Sequence, residues 1–280
     1  MKKVAVLGLG IMGHGVADNF LKNGYEVTVW NRTPEKADDL VAHGAQRANS
    51  VAEAVVGADM VFEVTANDES SREVWLGENG IVKRANEAQV LITCATLSPA
   101  WVEELAQACA TKGLTFFDMP MTGSRIGAES GQLTLLVGGD EQKLNEVKPY
   151  LEPIANEVKY FGPIGAGTRY KLVLNCLQAV HIAGFGEALR MARKFGLDTK
   201  QVGDALAEKP GGTTTNLTWR DYQKHPVPIN FAVEMIAKDE NYALQATNAD
   251  DFPLIAQTLK QYHQAMTDGH ATDDWTYISR

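Results

Sequence analysis

The sequence predicts an α/β fold: a doubly wound parallel sheet, then an all-helical C-terminal domain joined to it by a long helix. Three observations predict it. The chain opens on an apolar strand that runs into a glycine-rich turn. Strand-like and helix-like segments then alternate from Val4 to about Arg125, the pattern of β-α-β units. Beyond Gly162-Pro163-Ile164-Gly165-Ala166-Gly167, the clearest linker in the chain, the alternation stops and only helical patterns remain. The expected domains are residues 1–163 and 164–280.

The elements follow in order. Val4-Ala5-Val6-Leu7 is a buried strand, and Val16, Ala17 and Phe20 share one face of the helix after it. Val27 to Trp30 is a second strand. Pro34 to Ala42 reads as a helix that Gly44 ends. Ser50 N-caps a short helix over Val51–Val56, and Ala58 to Val64 is a strand. Asn67 to Trp75 is a loop entering a helix. Val90 to Thr93 is a strand, Thr96-Leu97-Ser98-Pro99 caps a helix from Ala100 to Ala110, and Leu114 to Asp118 is a further strand. Leu133–Val137 and Val158–Phe161 complete the sheet. Thr168 to about Phe195 is one helix, apolar nearly all round and therefore expected to be buried on most faces. Shorter helices follow, with loops at Lys209–Thr215 and His225–Pro228.

The opening turn, Gly8-Leu9-Gly10-Ile11-Met12-Gly13, has the G-x-G-x-x-G spacing of a dinucleotide-binding loop. Gly8 permits the tight turn, Gly10 lets a pyrophosphate approach the backbone, and Gly13 lets helix and strand pack closely. The helix start offers free N–H groups and the positive end of its dipole to phosphate. The second strand ends in Asn31-Arg32-Thr33 instead of the carboxylate that usually holds the ribose hydroxyls. A carboxylate would repel a 2′-phosphate; Asn31 and Thr33 can hydrogen-bond to one and Arg32 can pair with it. This favours NADP(H) over NAD(H). The same residues also read as a turn and N-cap before Pro34, and the two readings are compatible. Ligands of such sheets sit beyond the carboxyl ends of the strands. Val64-Thr65-Ala66, Cys94-Ala95-Thr96 and Met121-Thr122-Gly123-Ser124 should therefore converge on cofactor or substrate, with Thr96 serving either there or as a helix cap.

The chain has 280 residues, 45% hydrophobic and 22% charged, with a net charge of −9. That charge argues against nucleic-acid and anionic-membrane partners. Cys94, Cys109 and Cys176 lack CxxC spacing and suggest reduced thiols in a cytoplasmic protein, without a metal site. No apolar run is expected to approach a membrane span, and no signal peptide is expected before the first strand.

Within the apolar helix, Lys171, Asn175 and Gln178 lie at spacings of four and three, on one stripe. A lysine at a helix start often snorkels to water. Here its companions are amides, which an otherwise apolar helix has no packing reason to carry. Lys171 as ammonium could polarise a carbonyl and protonate its oxygen as hydride arrives, and partial desolvation would favour the neutral form needed in reverse. Asn175 could hold the lysine or the substrate hydroxyl.

Four blocks together resemble the β-hydroxyacid dehydrogenase family: GLGIMGHGVADNF near the start, DMPMTGSRIGAESGQLTLLVGG at 118–139, GAGTRYKLVLN at 165–175 and AKDENYAL at 237–244. The resemblance covers nearly the whole chain and implies a Rossmann domain, a long interdomain helix, and a helical domain that often mediates dimers or tetramers. It implies that Lys171 is the catalytic lysine and Asn175 its partner. It further implies that Thr122, Gly123 and Ser124 hold a substrate carboxylate, that Lys238 reaches the cofactor, that Asp239 orients the site, and that Phe231 walls the pocket. Met-Thr-Gly-Ser stands where many members have Val-Ser-Gly-Gly, and VTAND at 64–68 where many have a Met-Leu pair; both bear on substrate choice. The function expected is reversible, NADPH-dependent reduction of a short carboxylate-bearing aldehyde or keto acid. An imine reductase shares the architecture but usually lacks the lysine. A non-catalytic NADP-binding protein is the third reading, and Lys171 beside Asn175 argues against it.

Overall fold

The structure is a computed structural model that describes residues 2–208, 213–247 and 249–280. Its strands are β1 (Lys3–Leu7), β2 (Glu26–Trp30), β3 (Gln46–Arg47), β4 (Met60–Glu63), β5 (Val90–Thr93), β6 (Thr115–Asp118), β7 (Met121–Thr122), β8 (Leu133–Gly138) and β9 (Ala155–Gly162). Its α-helices are α1 (Ile11–Lys22), α2 (Asp38–Ala42), α3 (Val51–Val55), α4 (Asp68–Leu76), α5 (Ile81–Arg84), α6 (Pro99–Ala110), α7 (Ser124–Ser130), α8 (Glu141–Val147), α9 (Ala166–Lys194), α10 (Thr199–Ala207), α11 (Thr213–Gln223), α12 (Val233–Gln245) and α13 (Pro253–Thr267). The chain divides into two compact units, Met1–Lys171 and Leu172–Arg280.

In the first unit the sheet runs β3-β2-β1-β4-β5-β6-β8-β7, with β9 on β8. The strand order reverses between β1 and β4, the usual place for a ligand crevice. Strands β1 to β6 pair in parallel, as expected. The sheet is not wholly parallel, however: β8 runs antiparallel to β6 and β7, because the Met119–Ser130 segment turns the chain back. Side chains alternate across the sheet. Val4 and Val6 enter one core with Phe20, Phe62 and Phe117, while Ala5 and Leu7 enter the other with Trp75 and Trp101. The short elements β3, α5 and α7 carry too few apolar residues to show a period.

Helix α9 starts on a buried carboxylate. Asp118, at the end of β6 and 0% exposed, accepts N–H bonds from Gly165 and Thr168, each at 2.7 Å. Close approach demands glycine twice here: a Cβ on Gly138 would lie 2.3 Å from the Asp118 carboxylate, and one on Gly167 would lie 2.1 Å from the Leu136 carbonyl oxygen. Burial pushes the Asp118 carboxyl up, while the two N–H bonds pull it down.

The second unit is all helical. Its main core gathers Ala179, Ile182 and Ala183 of α9, Val233, Ile236 and Ala237 of α12, and Leu259, Tyr262 and Ala265 of α13. The expectation that α9 is buried on most faces is corrected: Val173 is 65% exposed and Leu177 53%. The expectation about membrane spans is corrected too. By length and composition α9 could cross a membrane, with a mean hydropathy of 1.4, but half of that window is buried inside the protein, as in a soluble core helix. Thr213–Thr215, expected in a loop, begin α11; the rest of that loop, 209–212, lies outside the described residues.

Removing the Asp118 carboxylate would leave two buried helix-start N–H groups without an acceptor. Asp118→Ala should cost about 2–3 kcal/mol, read as a lower midpoint in urea unfolding; an unchanged midpoint would contradict this account of the helix start.

Candidate functional site

The nucleotide loop is built on glycine and backbone. Gly8 has φ +104°, and a Cβ there would lie 2.4 Å from the Val64 carbonyl oxygen. A Cβ on Gly13 would lie 1.9 Å from the Gly8 carbonyl oxygen, so these two glycines are required by the fold. Gly10 differs: beyond its two chain neighbours, no protein atom lies within 4 Å of its Cβ position. That open side, at the N-cap of α1, is the cradle a pyrophosphate would need. Gly10 and Ile11 are exposed there and Met12 half-buried, while Leu9 is buried.

Asn31 has a task in the loop itself. Its Oδ1 accepts the Leu9 N–H at 2.9 Å and its Nδ2 donates to the Thr33 carbonyl at 2.9 Å. Its Oδ1 and the Leu9 N–H thus fix the loop, and one Nδ2 hydrogen is left over. Arg32 and Thr33 are exposed beside it. Thr33 sits at the N-cap before Pro34 but its side chain makes no capping bond.

At the end of β4 a carboxyl organises the next turn. Glu63, 0% exposed, accepts the Thr65 N–H at 3.0 Å, the Thr65 hydroxyl, and the Thr93 hydroxyl at 2.5 Å. Burial pushes Glu63 up, and the hydroxyl bonds oppose it. The Val64 carbonyl of this turn is the one that abuts Gly8, so Glu63 braces the nucleotide loop through Val64-Thr65-Ala66. Ser98, not Thr96, caps α6, accepting the Trp101 N–H at 3.2 Å. Thr96 is half-buried.

Thr122 ends β7, half-buried, and Gly123 and Ser124 follow, exposed, with φ +128° and +55°. Ser124 is the single non-glycine with positive φ among the described residues. Such strain recurs in ligand-holding turns. The turn is anchored from behind: Asn19 of α1 donates to the Ala128 carbonyl of α7 at 2.7 Å.

Lys171 is half-buried in the second turn of α9, and Asn175 follows one turn on. In the second unit Asn175, 2% exposed, donates to Asp239 Oδ2 at 2.6 Å. Lys238 Nζ lies 2.9 Å from Asp239 Oδ1 and 5.5 Å from the Tyr242 ring centre. The pair that looks like an exposed charge pair in sequence is thus a buried carboxylate holding one amide and one ammonium. Phe231 packs edge-on against Trp275, with ring centres 5.5 Å apart.

Two family models match the chain: the NAD-binding domain of 6-phosphogluconate dehydrogenase over residues 3–162, and the NAD-binding domain of NADP-dependent 3-hydroxyisobutyrate dehydrogenase over residues 165–280. The chain belongs to the β-hydroxyacid dehydrogenase family. It is an oxidoreductase of hydroxyl groups with NAD(P)-binding domains. It is 32% identical to a 3-hydroxyisobutyrate dehydrogenase of Pseudomonas aeruginosa, covering 100% of this chain and 98% of that one. It is 30% identical to an NAD-dependent L-serine dehydrogenase of the same organism, over 100% and 97%. The fold matches a 3-hydroxyisobutyrate dehydrogenase of Mycobacterium tuberculosis solved with L-serine, at a TM-score of 0.88 and 28% identity, covering 100% and 98%.

Sequence reasoning missed Glu63, Asp118 and Glu240 as buried carboxyls. The first two sit at the last residue of a strand, where a carboxyl in an apolar run is the available signal. The three free thiols are buried, and burial pushes Cys109 and Cys176 up to about 12, so neither is a thiolate at neutral pH. Among the described residues no His, Cys, Asp and Glu group could hold a metal.

The glycines separate fold from binding. Gly10→Ala should keep the wild-type melting temperature yet weaken dinucleotide binding at least tenfold, whereas Gly13→Ala should lower the melting temperature as well. Equal stability losses in both would remove the cradle assignment.

Proposed function

We propose that this family member is a reversible NADP(H)-dependent reductase of a short aldehyde or keto acid that carries a carboxylate, with Lys171 as general acid and base. The observation that carries the reading is Lys171 one helical turn before Asn175, itself held by the buried Asp239. Bound NADPH supplies the hydride. Lys171 donates a proton to the carbonyl oxygen as the hydroxyl forms and takes it back in the reverse direction. Asn175 has its amide oxygen left to hold the lysine or the substrate hydroxyl, because its Nδ2 is committed to Asp239. Thr122, Gly123 and Ser124 receive the carboxylate through hydroxyl and backbone N–H groups. Phe231 is the apolar wall, and Lys238 contacts the cofactor.

The preference for NADPH rests on Arg32 and Thr33, with Asn31 in support through the one Nδ2 hydrogen not given to Thr33. The absence of a carboxylate at position 31 supports it further. Glyoxylate, succinic semialdehyde and tartronate semialdehyde are the substrates to test in the reducing direction. The L-serine named for two relatives supports adding serine in the oxidising direction. We place the protein in the cytoplasm as a homodimer or homotetramer.

The deciding experiment measures NADPH and NADH oxidation at matched concentrations against these substrates. Lys171→Ala should lower kcat at least a thousandfold while NADPH still binds; unchanged turnover would remove the mechanism. Arg32→Ala should raise the KM for NADPH roughly tenfold, about 1.4 kcal/mol, and leave that for NADH within twofold. A wild-type preference for NADH would overturn the cofactor assignment and leave the lysine chemistry standing.

A further inference from the structure

Helix α12 turns one stripe into the core of the second unit. Val233, Ile236 and Ala237 on that stripe are buried, and Glu240 continues it at the next helical spacing. Glu240 is 0% exposed, and neither of its carboxyl oxygens has a hydrogen-bond partner among the described residues. A carboxyl thus occupies a place whose periodicity asks for an apolar side chain.

The neighbouring Asp239 is equally buried but has partners: the Asn175 amide donates to its Oδ2, and the Lys238 ammonium is ion-paired with its Oδ1, which accepts no hydrogen bond among the described residues. Two carboxyls adjacent in sequence therefore share a core in which both donors are spent on one of them. The titratable groups that act on or respond to Glu240 are few. Asp239 and Lys238 flank it on α12, Cys176 comes from α9, Tyr262 comes from α13, and Asp274 acts in turn on Tyr262. Burial pushes the Cys176 thiol and the Tyr262 phenol up, so both are neutral, and the Tyr262 hydroxyl also lacks a hydrogen-bond partner among the described residues. A carboxyl without donors, beside an anion and out of water, favours its protonated form. Burial first, and then the Asp239 charge, push Glu240 up to about 8.

We propose that Glu240 is a positioning residue: uncharged at neutral pH, it leaves Asp239 as the one anion that Lys238 and Asn175 answer to, and its ionisation in alkaline solution breaks up that arrangement and disables the site. The proposal rests on the roles given above to Asn175 and Lys238. It makes the alkaline limit of turnover a property of a side chain that touches neither substrate nor cofactor.

The sign follows from the direction of the shift. The carboxyl is harder to ionise in the fold than in the unfolded chain, whose ordinary value is 4.5. Its contribution therefore favours the fold fully below that value and is lost as pH rises through about 8. Glu240→Gln keeps the shape of the protonated acid and cannot ionise. The test compares wild type and E240Q in three pH series: kcat and KM with NADPH, NADPH affinity by fluorescence, and melting temperature. Expected for E240Q are a kcat within twofold of wild type at pH 7, an alkaline limb displaced upward by at least one pH unit, and NADPH affinity retained to higher pH. The melting temperature of wild type should fall relative to that of E240Q between pH 4.5 and 8 and run parallel above.

Superimposable kcat and affinity profiles would overturn the positioning role, and a constant melting difference would overturn the protonation that underlies it. The melting and affinity series need no substrate, so they decide the matter even where every tested substrate fails. If E240Q does not fold, E240L serves, since a leucine continues the buried apolar stripe of α12. The same shift in its profiles supports the proposal and the same coincidence sinks it.

Discussion

The first unit hangs on the carboxylate of Asp118. A long helix must begin somewhere, and its first N–H groups need an acceptor when they start inside a protein. Asp118 supplies one from the last residue of β6, and two glycines, Gly138 and Gly167, clear the space for so close an approach. The arrangement fixes the rotation of α9 about its axis, not merely its start. Helical geometry then sets the face of α9 on which Lys171 lies.

The two units build their functional residues by opposite means. In the first, the important groups are backbone: glycines pressed against carbonyls, a strained turn at Gly123-Ser124, and N–H groups at a helix start. Side chains there brace the backbone, as Glu63 does for the turn after β4 and Asn31 for Leu9. In the second unit the important groups are charges taken out of water. Asp239 is held by the Asn175 amide and faces the Lys238 ammonium, and removing either partner would leave a charge less compensated in the core.

Much of this was legible in the sequence, for identifiable reasons. The alternation of strand and helix follows from residues whose periods are long enough to read, as at Val4–Leu7 and Val90–Thr93. The glycine loop is legible because Gly8 and Gly13 stand where the backbone leaves no room for a side chain, at the spacing of the motif. The Lys171–Asn175 stripe stands out because polar groups on an apolar helix call for a reason. What was not legible depends on tertiary neighbours. The bond from the Leu9 N–H to Asn31 joins residues 22 apart in the chain, so the brace it gives the loop cannot be read from the motif. Lys238-Asp239 looks like a solvated pair until α12 turns it inward. The reversal of β8 follows from the tight turns after Asp118, in which no sequence period exists. The exposure of Val173 and Leu177 could not be read from a helix that is apolar on nearly every side.

The bond from the Leu9 N–H to Asn31 has a consequence for how the cofactor specificity of such an enzyme can drift. The N–H needs only an oxygen acceptor, which aspartate offers as readily as asparagine. The loop would therefore keep its shape through an exchange that reverses the local charge, losing one donor to the Thr33 carbonyl. On the reading proposed above, scaffold and selectivity are separable at this position, because the loop bond does not depend on the charge that the dinucleotide meets.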